Sequence, residues 1–336
     1  MKKKYLSWIV FTIVLLVALI FAVLYSISTG EVNIALSDIP SILSKHDGAE
    51  YFILTNIRIP RVILAITVGG SLGLTGAILQ GIYRNPLVEP YTLGISGGAS
   101  LGVTLIVILG LYDANMYALP LAGFVGALLT IFLVYTLGMR KGNLDINRML
   151  LIGVMISFVS SSIIMFLMSI SSTEKLHSII FWVMGSLDEP NTNLIKVTIA
   201  TSVIGLIATY LFARPLNALQ LGQEKALHLG INASVSIQVL FVVASLMAGV
   251  CVSVAGVIGF VGLIIPHLCR QLVGPDHRIL LISSFLGGGL FLTISDLIAR
   301  TVIAPNELPI GVITGIVGGT IFVVVLSSLK KKSKLG

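Results

Sequence analysis

Forty-four consecutive residues, Ala226 to Cys269, contain no Asp, Glu, Lys or Arg. A hydrocarbon core of roughly 30 Å takes about 20 apolar residues per helical crossing. The run is therefore too long for one helix and suits a tight pair. Charge-free runs at 5–30, 62–83, 90–112, 114–139, 149–173, 279–295 and 308–329 each fit one crossing. Residues 197–213 fit another, with Lys196 placed to snorkel from its end. The chain reads as all-α, a polytopic membrane protein of about ten transmembrane helices. With 56% apolar and only 10% charged residues, soluble globular classes are excluded.

Charge placement predicts the orientation. Threading the spans from a cytoplasmic Met1 puts 15 of the 21 Lys and Arg residues inside, leaving Lys45, Arg58, Arg61, Lys175, Lys196 and Arg300 outside. This bias predicts a multi-pass protein of the cell (inner) membrane with both termini cytoplasmic. The net charge of +7 is scattered through short loops instead of forming a stripe, which argues against a nucleic-acid partner. The lysine-led first segment reads as an uncleaved span, because its apolar run is too long for a signal peptide and no small-x-small site follows. Cys251 and Cys269, the only cysteines, lie in or beside apolar segments. They offer no disulfide framework and no metal-ligand pattern.

Sliding the chain by 180 residues lays Gly69, Gly76, Pro86 and Gly94 on Gly249, Gly256, Pro266 and Gly274. Half of ten spans is an odd number, so two such halves must be inverted. The expectation is one membrane domain, 1–336, of two inverted five-helix pseudo-repeats at about 1–185 and 186–336. Pro86 and Pro266 are expected to interrupt helices, each covered by protein or by a water-filled path. The longest loops fall at about 29–57 and 171–192 outside, and 214–230 inside.

No G-x-x-x-x-G-K-[ST] phosphate loop is present, so the chain does not cradle a nucleotide in that way. No span holds a midplane carboxylate of the kind that ion-coupled carriers keep. Asp296 lies near the outer end of a span, four residues before Arg300, and is expected to form a local ion pair. Energy coupling is thus expected from another polypeptide. No pair of side chains recurs at catalytic spacing, so no catalytic residue is assigned and the chain is not read as an enzyme.

Three segments do point to function. Arg58-Ile59-Pro60-Arg61 places arginines on the outer side, against the charge bias, where they suit either an acidic partner or interfacial anchoring. Leu221 to Gly230 is a polar amphipathic stretch in the largest inner loop, with Leu221, Lys225, His228 and Leu229 on one helical face. It suits a bilayer surface or a groove in a cytoplasmic partner. Asn85-Pro86-Leu87 makes a sharp inner connection.

The chain resembles the FecCD-type permeases of ATP-binding cassette importers, which carry iron–siderophore complexes, haem or cobalamin. The resemblance lies in Asn85-Pro86-Leu87-Val88-Glu89-Pro90 with Leu93-Gly94-Ile95-Ser96-Gly97-Gly98-Ala99, in Gly259 to His267 (GFVGLIIPH), in Asp276-His277-Arg278, and in Glu307 to Thr314 (ELPIGVIT). It covers nearly the whole chain. It implies a permease subunit paired with a second one, a homodimer being favoured, over two ATPase subunits that use ATP and Mg. No cofactor is expected on this chain itself, and no metal site.

Residue by residue, the resemblance implies that Leu221, Gly222, Gln223, Glu224, Lys225, Ala226, Leu227, His228, Leu229 and Gly230 form a coupling helix seated in the ATPase. Arg58, Arg61 and Arg300 match outer arginines that dock an extracytoplasmic substrate-binding protein. Asn85, Leu87, Ile146 and Asn147 match positions near the inner constriction. Residues 174–187, with Trp182, match a short gating helix. The family pattern of Gly-Ala-Pro near 318–320 is replaced by Gly318-Gly319-Thr320, so a straighter last span is expected. The implied function is inward transport of a metal chelate by alternating access, most simply ferric siderophore or haem. The alternatives are cobalamin and, from another class, an ion-coupled secondary carrier.

Overall fold

The computed structural model describes residues 2–112, 115–140 and 143–332. Lys141 and Lys334, two of the basic residues assigned to the inner face, lie outside the described residues. α1 (Lys2–Ser28) is a lipid-facing helix, with only 6% of its apolar stretch buried. Trp8 anchors its start by donating its indole N–H to the Val273 carbonyl at 3.2 Å. α2 (Ile39–Lys45) lies in the segment expected as an outer loop. After it, α3 (Ala49–Phe52), a π-helical turn over Ile53–Arg58 and α4 (Ile59–Tyr83) run on as one 35-residue rod. At 1.5 Å per residue that rod is about 52 Å long, more than a hydrocarbon core requires. Its most apolar stretch is 83% buried and forms the centre of the molecule.

The chain continues through a 3-10 turn, Pro90–Leu93, into α5 (Ile95–Ile108), α6 (Ala118–Gly138), α7 (Ile146–Ser169) and α8 (Thr173–Met184). α9 (Thr192–Leu211), α10 (Ala213–Leu219), α11 (Gln223–His228), α12 (Ala233–Ala255), α13 (Val261–Val273), α14 (His277–Thr301) and α15 (Ile310–Lys332) complete it. Strand pairing among the described residues is confined to Met139–Arg140 with Asn143–Leu144. Among the described residues seven helices have the length and apolarity of a membrane crossing, and three shorter apolar ones are α5, α13 and the apolar part of α15. The last helix is unbroken through Gly318-Gly319-Thr320.

α4 packs on α14 and α13 through glycine. A Cβ on Gly69 would collide with the Gly288 carbonyl, and one on Gly76 with the Gly262 carbonyl. Lipid tails are as apolar as leucine, so helices in a bilayer gain little from burying leucine against each other. Close backbone approach gains dispersion contact instead. The outward faces of α6, α7 and α9 carry exposed side chains such as Phe132, Phe158 and Ile204, as a lipid-facing shell would.

The expected helix pair in 226–269 breaks at Gly256–Phe260, not at proline. Gly256 and Phe260 both have φ near +69°, a region in which non-glycine residues are uncommon. The freed backbone is satisfied from the other half of the chain. The Phe260 N–H donates to Glu89 Oε2 at 3.3 Å and the Ile258 N–H to Tyr91 Oη at 3.3 Å. Residues 89–91, at the foot of α5, thus meet the start of α13.

Pro86 does stand in a break, the exposed loop after α4, but Pro266 stays inside α13. Proline has no N–H and leaves the carbonyl four residues earlier, that of Gly262, without its helical donor. Gln80 on α4 supplies one: its amide nitrogen donates to the Gly262 and Leu263 carbonyls at 3.2 and 3.1 Å. The repair comes from 182 residues away, which local sequence reasoning could not see. Replacing Gln80 by Leu should therefore destabilise the protein by about 1–3 kcal/mol, the cost of a buried unsatisfied carbonyl. The same change in a Pro266→Ala background should cost less, because the restored N–H serves Gly262. Thermal unfolding of the four detergent-purified proteins measures the coupling, and an equal cost in both backgrounds would refute the repair.

Candidate functional site

Functional side chains gather at two ends of the bundle. At the end that the charge bias assigns to the outside, Arg58 and Arg61 project from the rod of which α4 is the main part, and Asp296 and Arg300 from the last turns of α14. The sequence reading placed the arginines on the outer face, where they would meet an acidic partner. The structure buries all three at 5%, 7% and 9% exposure and turns their guanidinium groups inward. Arg61 Nε bonds Asp296 Oδ1 at 2.7 Å and Arg61 Nη1 bonds Glu307 Oε2 at 2.8 Å. Arg300 Nε lies 3.4 Å from Asp296 Oδ2, the expected i,i+4 pair. That pair is only half of the arrangement, since Arg61 approaches Asp296 more closely.

The remaining donors hold the end of α1. Arg58 Nη1 donates to the Ile27 and Ser28 carbonyls at 2.7 and 3.2 Å, and Nη2 to the Val32 carbonyl. Arg300 donates to the Thr29 carbonyl at 2.9 Å, the Ser26 carbonyl at 2.5 Å and Ser26 Oγ at 2.6 Å. Gly30 makes room: a Cβ there would stand 2.6 Å from Arg58 Nη2. Buried guanidinium groups need such acceptors, because an unpaired charge out of water costs several kcal/mol.

Two cavities open beside the Arg61–Glu307 pair. One of about 180 Å³ is lined by Arg58, Arg61, Arg300, Glu31 and Glu307. The other, about 360 Å³, is lined by Arg61, Glu307, Phe181, Trp182 and Leu308. Trp182 belongs to this outer region. Its ring lies against Gly123 of α6 and its carbonyl against Gly256. It is not gathered with Asn85, Leu87, Ile146 and Asn147. α8 stands where the short gating helix was expected, and its end is tied down. The Ser186 N–H donates to the Ala255 carbonyl at 3.0 Å, and the Ile310 N–H to the Gly185 carbonyl at 3.2 Å.

At the inner end the stretch 221–230 is helical only over α11, bounded by Gly222 and Gly230, which have φ of +106° and +77°. Leu221 and Leu229 therefore flank the helix and do not form one face with Lys225 and His228. Ala226 is the residue that turns inward, at 0% exposure. Leu221, Leu227 and Leu229 are 57%, 64% and 61% exposed, an apolar group that no described residue of this chain covers. Asn85 Oδ1 accepts the Leu87 N–H at 2.9 Å, which closes the loop after α4 and leaves Leu87 exposed. Ile146 is half-buried against the core and Asn147 is exposed. A basic cavity of about 390 Å³ joins this loop to the segment before α11, lined by Arg84, Asn85, Gln220, His267 and Arg270.

Asp276 fastens the inner end. It caps α14 by accepting the Arg278 N–H at 3.1 Å, and it accepts the Asn217 side-chain amide of α10 at 2.8 Å. Asn217 in turn accepts the His277 N–H at 2.8 Å. The sequence flagged Asp276-His277-Arg278 only as a matching motif. Its role as the clasp between α10 and α14 was not legible there. Glu307 was missed in the same way, since its partner Arg61 lies 246 residues away.

Residues 18–328 match the profile of the FecCD transport family. The hemin transport system permease protein HmuU of Yersinia pestis is 36% identical over 315 residues, covering 92% of each chain. The iron(3+)-hydroxamate import system permease protein FhuG of Bacillus subtilis is 32% identical, with 93% of this chain and 94% of that one aligned. The cobalamin import system permease protein BtuC of Halobacterium salinarum is 36% identical over 82% of this chain and 73% of its own. A solved metal-chelate type ABC transporter in an inward-facing conformation superposes with a TM-score of 0.82 at 30% identity. It covers 95% of this chain and 99% of its own.

Replacing Asp276 by Ala should cost about 1 kcal/mol through the lost cap. Hydrogen exchange should speed up across residues 213–230 while the α4 core stays protected. Burial pushes the Asp276 carboxyl up, but the Asn217 and Arg278 hydrogen bonds, with Arg278 and Lys4 nearby, hold it below the ordinary carboxylate value. A depressed carboxyl stabilises the folded state above its unfolded pKa, and the contribution fades as pH falls through the folded value. Protection of this segment should hold at about pH 5 and weaken only below about pH 4. Protection unchanged by the substitution would remove the clasp role.

Proposed function

The chain belongs to the FecCD transport family, and on that footing we propose that it moves a metal chelate inward across the cell membrane by alternating access driven by a partner's ATP cycle. It is a permease subunit of an ABC importer of the metal-chelate, haem and cobalamin class. The observation that carries the reading is coverage: the likeness to transport permeases runs through nearly the whole of both chains. Ferric siderophore or haem is the favoured cargo, with cobalamin as the alternative. Relatives named for hemin, hydroxamate iron and cobalamin stand at 32–36% identity, so overall similarity does not choose among them.

Two ATPase subunits bind the cytoplasmic face, use ATP and Mg, and receive α11 with its flanks. The exposed Leu221, Leu227 and Leu229 support this, because an apolar group uncovered in a polar loop fits a groove in a partner better than water. A second copy of the chain completes the pathway, and α8 moves as the outer side opens. Asn85, Leu87, Ile146 and Asn147 form the inner constriction. The extracytoplasmic binding protein docks at Arg58, Arg61 and Arg300, and both termini face the cytoplasm of the inner membrane. Each nucleotide state must favour a different permease conformation through different contacts at the coupling segment.

Proteoliposomes holding the chain with its ATPase and binding protein test the whole reading. Of labelled haem, a ferric hydroxamate and cobalamin, one should accumulate only when ATP reaches the ATPase. Uptake that ignores ATP and follows an ion gradient would overturn it. In the same vesicles, replacing Glu224 by Ala together with Leu227 by Asp should abolish uptake and leave ATP hydrolysis running. Normal uptake by that variant would sink the coupling assignment.

A further inference from the structure

We propose that Glu307 is an intramolecular placeholder: its carboxylate holds on Arg61 the position that a carboxylate of the binding protein takes on docking, and its release loosens the outer ends of α8 and α15. The inference rests on the docking reading above, and it follows from an asymmetry in how Arg61 is held. One partner, Asp296, is 1% exposed and shared with Arg300 at 3.4 Å. The other, Glu307, is 49% exposed and makes no further side-chain hydrogen bond among the described residues. The Arg61–Asp296 pair is a fixed internal strut, because breaking it would leave a buried charge uncompensated. The Arg61–Glu307 pair ends in solvent and is the weak one.

Burial of the three arginines otherwise conflicts with docking, since guanidinium groups already occupied cannot also receive a partner. Exchange removes the conflict. An incoming carboxylate replaces one carboxylate by another on Arg61, so no charge is left bare at any stage. The cluster has Arg58, Arg61 and Arg300 against Asp296 and Glu307, three positive charges to two negative. Glu31 lines the adjoining cavity without an ion pair within 4.0 Å among the described residues. Once Glu307 leaves, the surplus facing the partner rises by one. Cavities of about 180 and 360 Å³ on either side give both carboxylates room to move.

The release has a mechanical consequence through the chain itself. Glu307 is followed at once by Leu308, whose N–H donates to the Ala299 carbonyl at 2.9 Å, and by Pro309 and α15. The first turn of α15 rests on the end of α8. The Ile310 N–H bonds the Gly185 carbonyl at 3.2 Å, and Gly311 packs so closely that a Cβ would meet the Met184 carbonyl. Glu307 on Arg61 therefore pins the strap that holds α8 against α15. Docking draws the pin.

The test uses the permease–ATPase assembly in nanodiscs and the binding protein of the uptake assay, with docking affinity read at low and high salt. Glu307→Gln keeps the side chain's shape and removes the competing charge, so docking at low salt should tighten about fivefold. In a Trp8→Phe background, assembled with a tryptophan-free ATPase, Trp182 is the one tryptophan left in this chain. There, Glu307→Gln without binding protein should shift the emission in the direction that docking of a tryptophan-free binding protein shifts it when Glu307 is kept. Should Glu307→Gln fail to assemble, Glu307→Asp withdraws the carboxylate by one methylene and carries the same expectation in smaller measure.

The outcomes separate the two readings. If docking is salt-sensitive and weakened by Arg58→Gln, but Glu307→Gln leaves it unchanged or weaker, docking stands and the placeholder falls. If docking ignores salt and neither substitution moves it, the arginine docking surface itself is wrong and the placeholder falls with it. A residue that only braced the fold would leave affinity unmoved or lower it, never raise it.

Discussion

A backbone N–H or C=O at membrane depth must find its partner inside the protein, because no water is there to supply one. This constraint organises the whole bundle. An unbroken helix meets it alone, and α4 does so over its full length. The irregular stretches meet it only through side chains of distant segments. Glu89 and Tyr91 receive the N–H groups of the 256–260 break, and Gln80 serves the carbonyls that Pro266 leaves open. The two halves of the chain are thereby locked to each other at their weakest points. Glycine contacts between α4, α13 and α14 then let the backbones touch, and the rest of the core packs around that centre.

From this centre the polar machinery is pushed to the ends. At one end Arg58 and Arg300 close over the end of α1, and Asp296 is the buried anion that Arg300 shares with Arg61. At the other end one carboxylate, Asp276, ties α10 to α14 and so fixes where the following segment, 221–230, stands. Between these ends the packing is dense on α4 and looser on α6, α7 and α15, whose outward faces are exposed apolar surface. A transporter needs such a division. Elements that change position must be held by few and weak contacts, and elements that keep the fold by many. Ile310 and Gly185 are joined by one hydrogen bond, whereas Gly69 and Gly288 meet backbone against backbone.

Sequence reading located nearly every membrane helix, because a bilayer imposes a length and a composition that a chain cannot disguise. It also found the inner segment 221–230, since polar residues with interspersed leucines stand out in a chain this apolar. It could not see that α11 is only six residues long, because the glycines that end it act through φ, which composition does not report. It expected Pro266 to break a helix because proline removes a donor. The donor came from Gln80, and nothing near Pro266 in the chain announces that.

The outer arginines show the same limit from the other side. Their presence against the positive-inside bias was legible, and so was the local Asp296–Arg300 pair, four residues apart on one helix. Their inward orientation was not, since it depends on acceptors at the end of α1 and on Glu307 beyond α14. What the sequence determined by itself was class and most of the helix positions, both consequences of the solvent that surrounds each segment. What only the tertiary structure decided was which polar group answers which, because those partners lie up to 274 residues apart and are chosen by helix packing.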